Sequence, residues 1–251
     1  MTYIYNSPVN FNIPKVPFRG SPTTFTPEIT APKQDGFATN PLYSNFGTKS
    51  DIEAKARSNP RLQELAQEYN LPLKANMQAL EDLEKGHLRD TRILSAKMYS
   101  TLPNELKSQV NLKSLQDAAM LHDYGKVLIP DYILNKKGTL TPVEREIMEL
   151  HPEIGYELQK DNKYLDEEAL NLIKYHHQTP NGKGYPNMPN NQVYSLGNQI
   201  LNIADKYSAL KENRCYKSAM STEDAIKIIK KEALTEGISP DVIEALEKAV
   251  V

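Results

Sequence analysis

The chain has 251 residues, is 39% hydrophobic and carries a formal net charge of -2, enough apolar content for one core but without the basic excess that marks a DNA- or RNA-binding surface. Its single cysteine excludes an intrachain disulfide framework and fits a reduced, cytoplasmic setting. No run of about eighteen apolar residues occurs, so no membrane span is expected, and the opening MTYIYNSPVNFNIPKV lacks the basic-then-apolar layout of a signal peptide. Residues 1–50 form a separate compositional regime. Pro8, Pro14, Pro17, Pro22, Pro27, Pro32 and Pro41 break both helix and central strand, and no leucine precedes Leu42. All 5 phenylalanines (Phe11, Phe18, Phe25, Phe37 and Phe46) lie there. The expectation is a mostly disordered, extended tail whose aromatics are candidates for docking a protein partner.

From Asp51 onward the pattern turns helical. SNPRLQELAQEY offers Asn59 as N-cap with Pro60 at N1. MLHDYGKVLIPDYIL ends an apolar run on His122 and Asp123, followed by Gly125 and Lys126. Three polar groups beside a core are costly unless something pairs with them. LTPVEREIMEL supplies Thr141, Pro142 and Glu144 in capping-box register. A short hairpin is expected near residues 181–194. LGNQILNIADKYSAL then places Leu196, Ile200, Ile203, Tyr207 and Leu210 on one helical stripe, and STEDAIKIIKKEAL and SPDVIEALEKAV close the chain as amphipathic helices. The fold class is all-α: a helical bundle over residues 51–251 behind the tail.

The 5 histidines are His87, His122, His151, His176 and His177. Any one alone reads as a core histidine with one hydrogen bond. As a set they differ, because His122 abuts Asp123, His176 abuts His177, and Asp205 interrupts an apolar stripe where a carboxylate needs a cation or several donors. His87, His122, Asp123, His151, His176, His177 and Asp205 exceed what one first-row ion takes, so two divalent ions fit better than one, with Asp123 the natural bridge. Imidazole and carboxylate without thiolate favour Fe or Mn, with Zn, Co and Ni open. A pair of such ions is suited to phosphoryl hydrolysis.

The ordered motifs resemble the HD-GYP domains, a subgroup of the HD phosphohydrolase superfamily. The name derives from the His-Asp doublet, here His122–Asp123, and from Gly-Tyr-Pro, here Gly184, Tyr185 and Pro186. LHDYGKVLIPDYILNKKGTLTPVEREIMELHPEIGYEL, KYHHQTPNGKGYP and ILNIADKYSALKENRCYK are similar to the three successive blocks of the family, and the likeness runs from about Asn76 to the C-terminus. It implies a helical metal centre. His87, His122, Asp123 and Asp205 would hold one ion, and Asp123, His151, His176 and His177 the other. It implies hydrolysis of a cyclic dinucleotide, chiefly cyclic di-GMP, to the linear dinucleotide or the mononucleotide. Lys126 would face the substrate phosphate as a catalytic cation, with Gly125 letting the chain turn away. Arg214 and Lys217 would contact ligand phosphates, and Gly184 and Tyr185 would shape the pocket wall. Read singly, Lys126, Arg214 and Lys217 are surface cations and Tyr185 is a core aromatic; their register with the ligands is what lifts them. The tail or the Gly-Tyr-Pro loop could recruit a protein partner.

The chain departs from the pattern at three places. Leu83 stands where some members carry a glutamate for a third ion, so a two-ion site is expected. Cys215 stands where proline is common and reads as an inert neighbour. Gln178, Thr179, Pro180 and Asn181 replace the usual Glu-Arg-Trp-Asp, turning two acids into amides, which is expected to weaken the support of the ligands. The alternatives are an HD phosphohydrolase acting on another nucleotide and a non-catalytic cyclic-dinucleotide receptor or interaction module.

Overall fold

A computed structural model describes residues 48–190, 192–212 and 219–251, with the side chains of residues 84 and 85 excepted. The expected tail therefore lies outside the described residues as far as residue 47. Its last three residues belong to the fold instead, because Thr48 caps the first helix in a reciprocal box with Asp51.

The elements are α1 (Lys49–Ser58), α2 (Pro60–Tyr69), α3 (Met77–Lys85), α4 (His87–Thr101), α5 (Asn104–Lys107), α6 (Leu112–Leu121), a 3₁₀ turn (Tyr124–Leu128), α7 (Asp131–Leu134), α8 (Pro142–Met148), α9 (His151–Gln159), α10 (Glu167–Tyr175), α11 (Leu196–Lys211), α12 (Thr222–Glu236) and α13 (Pro240–Val250). The expected caps are in place. The Asn59 carboxamide oxygen accepts from Leu62 N–H at 3.0 Å and Thr141 closes a box with Glu144. The all-α reading holds, and the described residues contain no strand.

The hairpin expected near 181–194 is corrected to an irregular loop. Its backbone donors go elsewhere: Asn181 N–H to Glu236 O at 3.1 Å, Gly182 N–H to Thr179 O at 2.9 Å and Tyr185 N–H to His177 O at 3.2 Å. Pro180, Pro186 and Pro189 also remove ladder donors along this stretch.

Two apolar clusters make the core. The larger joins α4, α6, α10, α11, α12 and α13 and includes Leu88, Leu121, Ile173, Ile203 and Ala204. The smaller joins α1, α2, the 3₁₀ turn and α9 and includes Leu62, Leu65, Tyr124, Val127 and Ile154. Leu121 belongs to the first and Tyr124 to the second, so His122 and Asp123 lie at the seam. Gly125 is what brings the seam together. A Cβ there would meet His151 O at 1.9 Å and Gly155 N at 2.5 Å, so the 3₁₀ turn lies backbone-to-backbone on α9. The expected role of Gly125 in turning the chain is thus corrected to one of close approach.

Candidate metal centre

Four helix ends and the middle of α11 converge at the seam. His87 opens α4, His122 caps the C-terminus of α6, His151 opens α9 and His176 caps the C-terminus of α10. His177 follows, and Asp205 projects from α11. The same local device orients three of the imidazoles. Nδ1–H of His122 donates to Ala119 O at 2.9 Å, that of His151 to Met148 O at 2.8 Å and that of His176 to Ile173 O at 2.8 Å. Each carbonyl lies three residues back in the last turn of a helix, where carbonyls lack an intrahelical partner. A carbonyl can only accept, so Nδ1 carries the proton and Nε2 presents a lone pair to the centre.

The two carboxylates distribute their oxygens among these rings. Asp123 Oδ1 lies 3.2 Å from His151 Nε2 and 3.9 Å from His176 Nε2, while Oδ2 lies 3.5 Å from His87 Nε2 and 3.7 Å from His122 Nε2. Asp205 Oδ1 lies 2.9 Å from His87 Nε2 and 3.6 Å from His122 Nε2, and its Oδ2 lies 3.7 Å from His177 Nδ1. Two ligand groups result, Asp123–His151–His176–His177 and His87–His122–Asp205, each with ligand atoms within 4.8 Å of one another. All seven residues named from the sequence are brought together. Only His177 is substantially open to solvent, at 21% of its side chain, which marks the mouth.

This donor set fits metal ions. His122 Nε2 and Asp123 Oδ1 are buried without a hydrogen-bond partner, a costly arrangement for polar atoms in a protein interior. The Nε2 atoms of His151 and His176 stand 3.2 Å apart, two lone pairs facing each other with no proton to share while both rings are neutral. A cation accepting these lone pairs would remove the conflict.

The electrostatics agree. Burial pushes the His176 imidazole well down, and the neighbouring His177, His122 and His151 add to it. Burial likewise lowers His151, and lowers His177 to about 3, against the pull of the carboxylates. These rings are neutral at pH 7, the form that ligates. At His122 burial again opposes protonation, but Asp123 and Asp205 outweigh it and the value rises. Burial alone would raise Asp123; Lys126, His122 and His151 overcome it and hold the carboxyl well below its ordinary range. Asp205 is depressed in the same way against burial by His122 and His87.

Around this centre the other named residues fall as follows. Lys126 Nζ pairs with Asp123 Oδ2 at 2.6 Å, so its ammonium is engaged with a ligand rather than standing free. Gly184 lies directly on the turn after α10: a Cβ there would meet His177 O at 2.2 Å and Gln178 Cα at 2.6 Å. The Tyr185 ring tilts over His177 with centroids 4.8 Å apart, and its hydroxyl pKa is raised by burial. Leu83 packs against the larger apolar cluster. Arg214, Cys215 and Lys217 lie outside the described residues. Sequence reasoning missed Asn202, whose amide donates to His176 O at 2.9 Å and Gln178 O at 3.3 Å. The signal was present, since Asn198 and Asn202 interrupt an apolar helix just as Asp205 does.

The HD domain family matches residues 62–242. The chain belongs to that family. Its His122–Asp123 doublet and Gly184-Tyr185-Pro186 place it in the HD-GYP branch. This HD-GYP domain is 37% identical over 143 residues to a cyclic di-GMP phosphodiesterase of Thermotoga maritima, covering 56% of this chain and 38% of the relative. It is 38% identical over 110 residues to the 3'3'-cGAMP-specific phosphodiesterase 2 of Vibrio cholerae, covering 43% of this chain and 21% of that protein. The chain therefore spans well under half the length of these curated relatives. Among solved structures, the HD domain of the L. monocytogenes phosphodiesterase PgpH, in complex with cyclic-di-AMP, superposes with a TM-score of 0.50 at 19% identity. The match covers 68% of this chain and 92% of that one and shows a shared fold. Family and His/Asp cluster together mark a divalent-metal centre, and no described helix is long and apolar enough to cross a membrane.

Proposed function

We propose that this chain is a metal-dependent phosphodiesterase that hydrolyses a cyclic dinucleotide, cyclic di-GMP first among them, to the linear dinucleotide or mononucleotide in cytoplasmic signalling. The observation that carries the reading is Asp123, whose two oxygens face two different sets of imidazoles. His87, His122 and Asp205 would hold one ion and His151, His176 and His177 the other, with Asp123 shared between them. Fe or Mn suits this thiolate-free set. Ions in such a pair supply Lewis-acid charge to a phosphate oxygen and make water a nucleophile at neutral pH.

The protein's own groups do the rest. The bonds from Nδ1–H to Ala119, Met148 and Ile173 keep three rings aimed without reorganisation. Lys126 keeps Asp123 ionised and, beside it, adds positive charge where a phosphate would approach. Gly184 brings backbone close to the centre and Tyr185 offers an apolar wall for a base. Arg214 and Lys217 are assigned to the substrate phosphates by their register in the sequence. The tail and the Gly-Tyr-Pro loop remain the surfaces proposed for a protein partner.

The full chain, purified without oxygen and loaded with Fe(II) or Mn(II), is expected to bind two ions and convert cyclic di-GMP to a linear product resolved by chromatography, faster than it converts 3'3'-cGAMP or cyclic di-AMP. Metal uptake without turnover of any of the three would replace the enzyme reading with that of a cyclic-dinucleotide receptor. Absence of metal uptake would remove both.

A further inference from the structure

The loop that carries Gly184 and Tyr185 is tied down by two side-chain amides, each using both of its ends. Gln178, 2% exposed, accepts at Oε1 from Thr179 N–H at 2.9 Å and Gly184 N–H at 2.8 Å, and donates from Nε2 to Pro186 O at 2.8 Å. Asn181 accepts at Oδ1 from Lys183 N–H at 3.0 Å and from the Thr179 hydroxyl at 2.7 Å, and donates from Nδ2 to Thr235 O at 2.7 Å at the end of α12. Two backbone N–H groups face the Gln178 oxygen, one backbone N–H and a hydroxyl face the Asn181 oxygen, and a carbonyl faces each nitrogen, so the partners fix the orientation of each amide. A carboxylate at either position can accept these bonds only while the loop stays closed. It would lose the donor and set its own charge against the carbonyl of Pro186 or Thr235.

We infer that Gln178 and Asn181 are positioning residues that fasten the Gly184–Pro186 segment over His177 through donor bonds only an amide can make. The amides are thus a working substitute for acids at these positions, not a loss of support. Gln178 closes the loop on itself, from its root at 178 to its far end at 186. Asn181 pins the outer turn to α12, whose last residue, Glu236, is in turn held by Lys206 Nζ at 2.6 Å and 2.7 Å. Tyr185 is then set over the His177 ring by the loop itself, before metal or substrate arrives. Neither amide touches a ligand side chain, so the expected effect lies in the shape of the mouth and not in metal retention. The inference rests on the proposed phosphodiesterase reading only through its kinetic readout.

The test compares full-length wild type with Gln178→Glu and Asn181→Asp at neutral pH. Amide hydrogen exchange is read first. In Gln178→Glu the Gly184 and Tyr185 amides are expected to lose about tenfold or more in protection, with the amides of α4, α6 and α11 unchanged. The Mn(II)-loaded variant is expected to keep wild-type metal content and to raise KM for cyclic di-GMP at least about fivefold, with kcat within about twofold of wild type. Wild-type protection at Gly184 and Tyr185 in Gln178→Glu would overturn the inference. Protection lost evenly across all helices would also overturn it, since that is general destabilisation. If Gln178→Glu does not fold, Asn181→Asp decides by the same two readouts, because Asn181 is exposed and its change leaves the core untouched. A wild type that turns over no cyclic dinucleotide would count against the phosphodiesterase reading alone; the exchange data would still decide this one.

Discussion

Replacing Asp123 with alanine removes the single carboxylate whose oxygens face both ligand groups. In the wild type, a divalent ion at about a hundredfold over its dissociation constant stabilises the folded state by roughly 2.7 kcal/mol per site, or about 5 kcal/mol for two. For a domain of about 200 residues, 1 kcal/mol moves Tm by roughly 2–4 °C, so saturating Mn(II) should raise Tm by about 10–20 °C. Asp123→Ala takes a ligand from the His151–His176–His177 group and the nearby Oδ2 from the His87–His122–Asp205 group. Both sites weaken together, and the metal-induced shift should fall below about 5 °C. The variant also leaves Lys126 without its partner at 2.6 Å, which changes the metal-free baseline. The difference in Tm with and without metal is therefore the proper readout, taken by differential scanning fluorimetry beside metal analysis and turnover. A shift of wild-type size in Asp123→Ala, or loss of one ion with the other bound as before, would refute the sharing of this carboxylate.

Lys126→Ala should retain both ions and lower kcat by about tenfold or more, because the ammonium lies beside the centre and not among its ligands; unchanged kcat in steady-state assays would remove it from the chemistry. Gly125→Ala forces a Cβ to within 1.9 Å of His151 O and 2.5 Å of Gly155 N, both backbone atoms that cannot step aside. It should cost about 3 kcal/mol in urea unfolding and reduce metal content by displacing His151. The Glu144 carboxyl is held down to about 2, first by Lys136 and then by Thr141 N–H. A depressed acid contributes stability above its ordinary pKa and loses it as pH falls toward the folded value. Glu144→Gln keeps the cap but not the charge, so its deficit relative to wild type should be present at about pH 6 and shrink toward pH 2 in denaturant titrations; a deficit constant with pH would count against the ion pair.

Much of the centre was legible because its residues punctuate strong local patterns. His122 abuts Asp123 at the end of an apolar run, His176 abuts His177, and Asp205 breaks a stripe, so these stood out, whereas His87 and His151 entered only as members of the set. Two helix starts were readable for the same reason: Asn59 and Thr141 cap where side-chain chemistry requires. The 178–194 loop was not legible. Its glycines and prolines mark turns without saying what the chain pairs with, and the tertiary partners Glu236 and Thr235, which take the Asn181 donors, leave no local signal. Gly125 was misread on the same ground, since a close approach between segments thirty residues apart leaves no mark in local periodicity. The stripe on α11 also understated its burial. Leu201, Asn202 and Ala204 are buried beside Ile200 and Ile203, because the helix runs through the core instead of along its edge.

The distribution of ligands over the two apolar clusters bears on why the centre sits where it does. His87, His122 and Asp205 all come from α4, α6 and α11, which share the larger cluster. That group is assembled by one packing unit and is set as soon as those helices dock. The other group is mixed. His176 and His177 follow α10 in the larger cluster, whereas His151 opens α9, which packs with the 3₁₀ turn in the smaller one. Asp123 stands between them, in the stretch where the chain passes from one cluster to the other. An ion held by this second group would fasten the two clusters across their seam, and the backbone contact of Gly125 with α9 holds the same seam without it. The first group is thus a product of packing, while the second both depends on the docking of the clusters and reinforces it. Changes that loosen the smaller cluster should accordingly reach the His151 side of the centre before the His87 side.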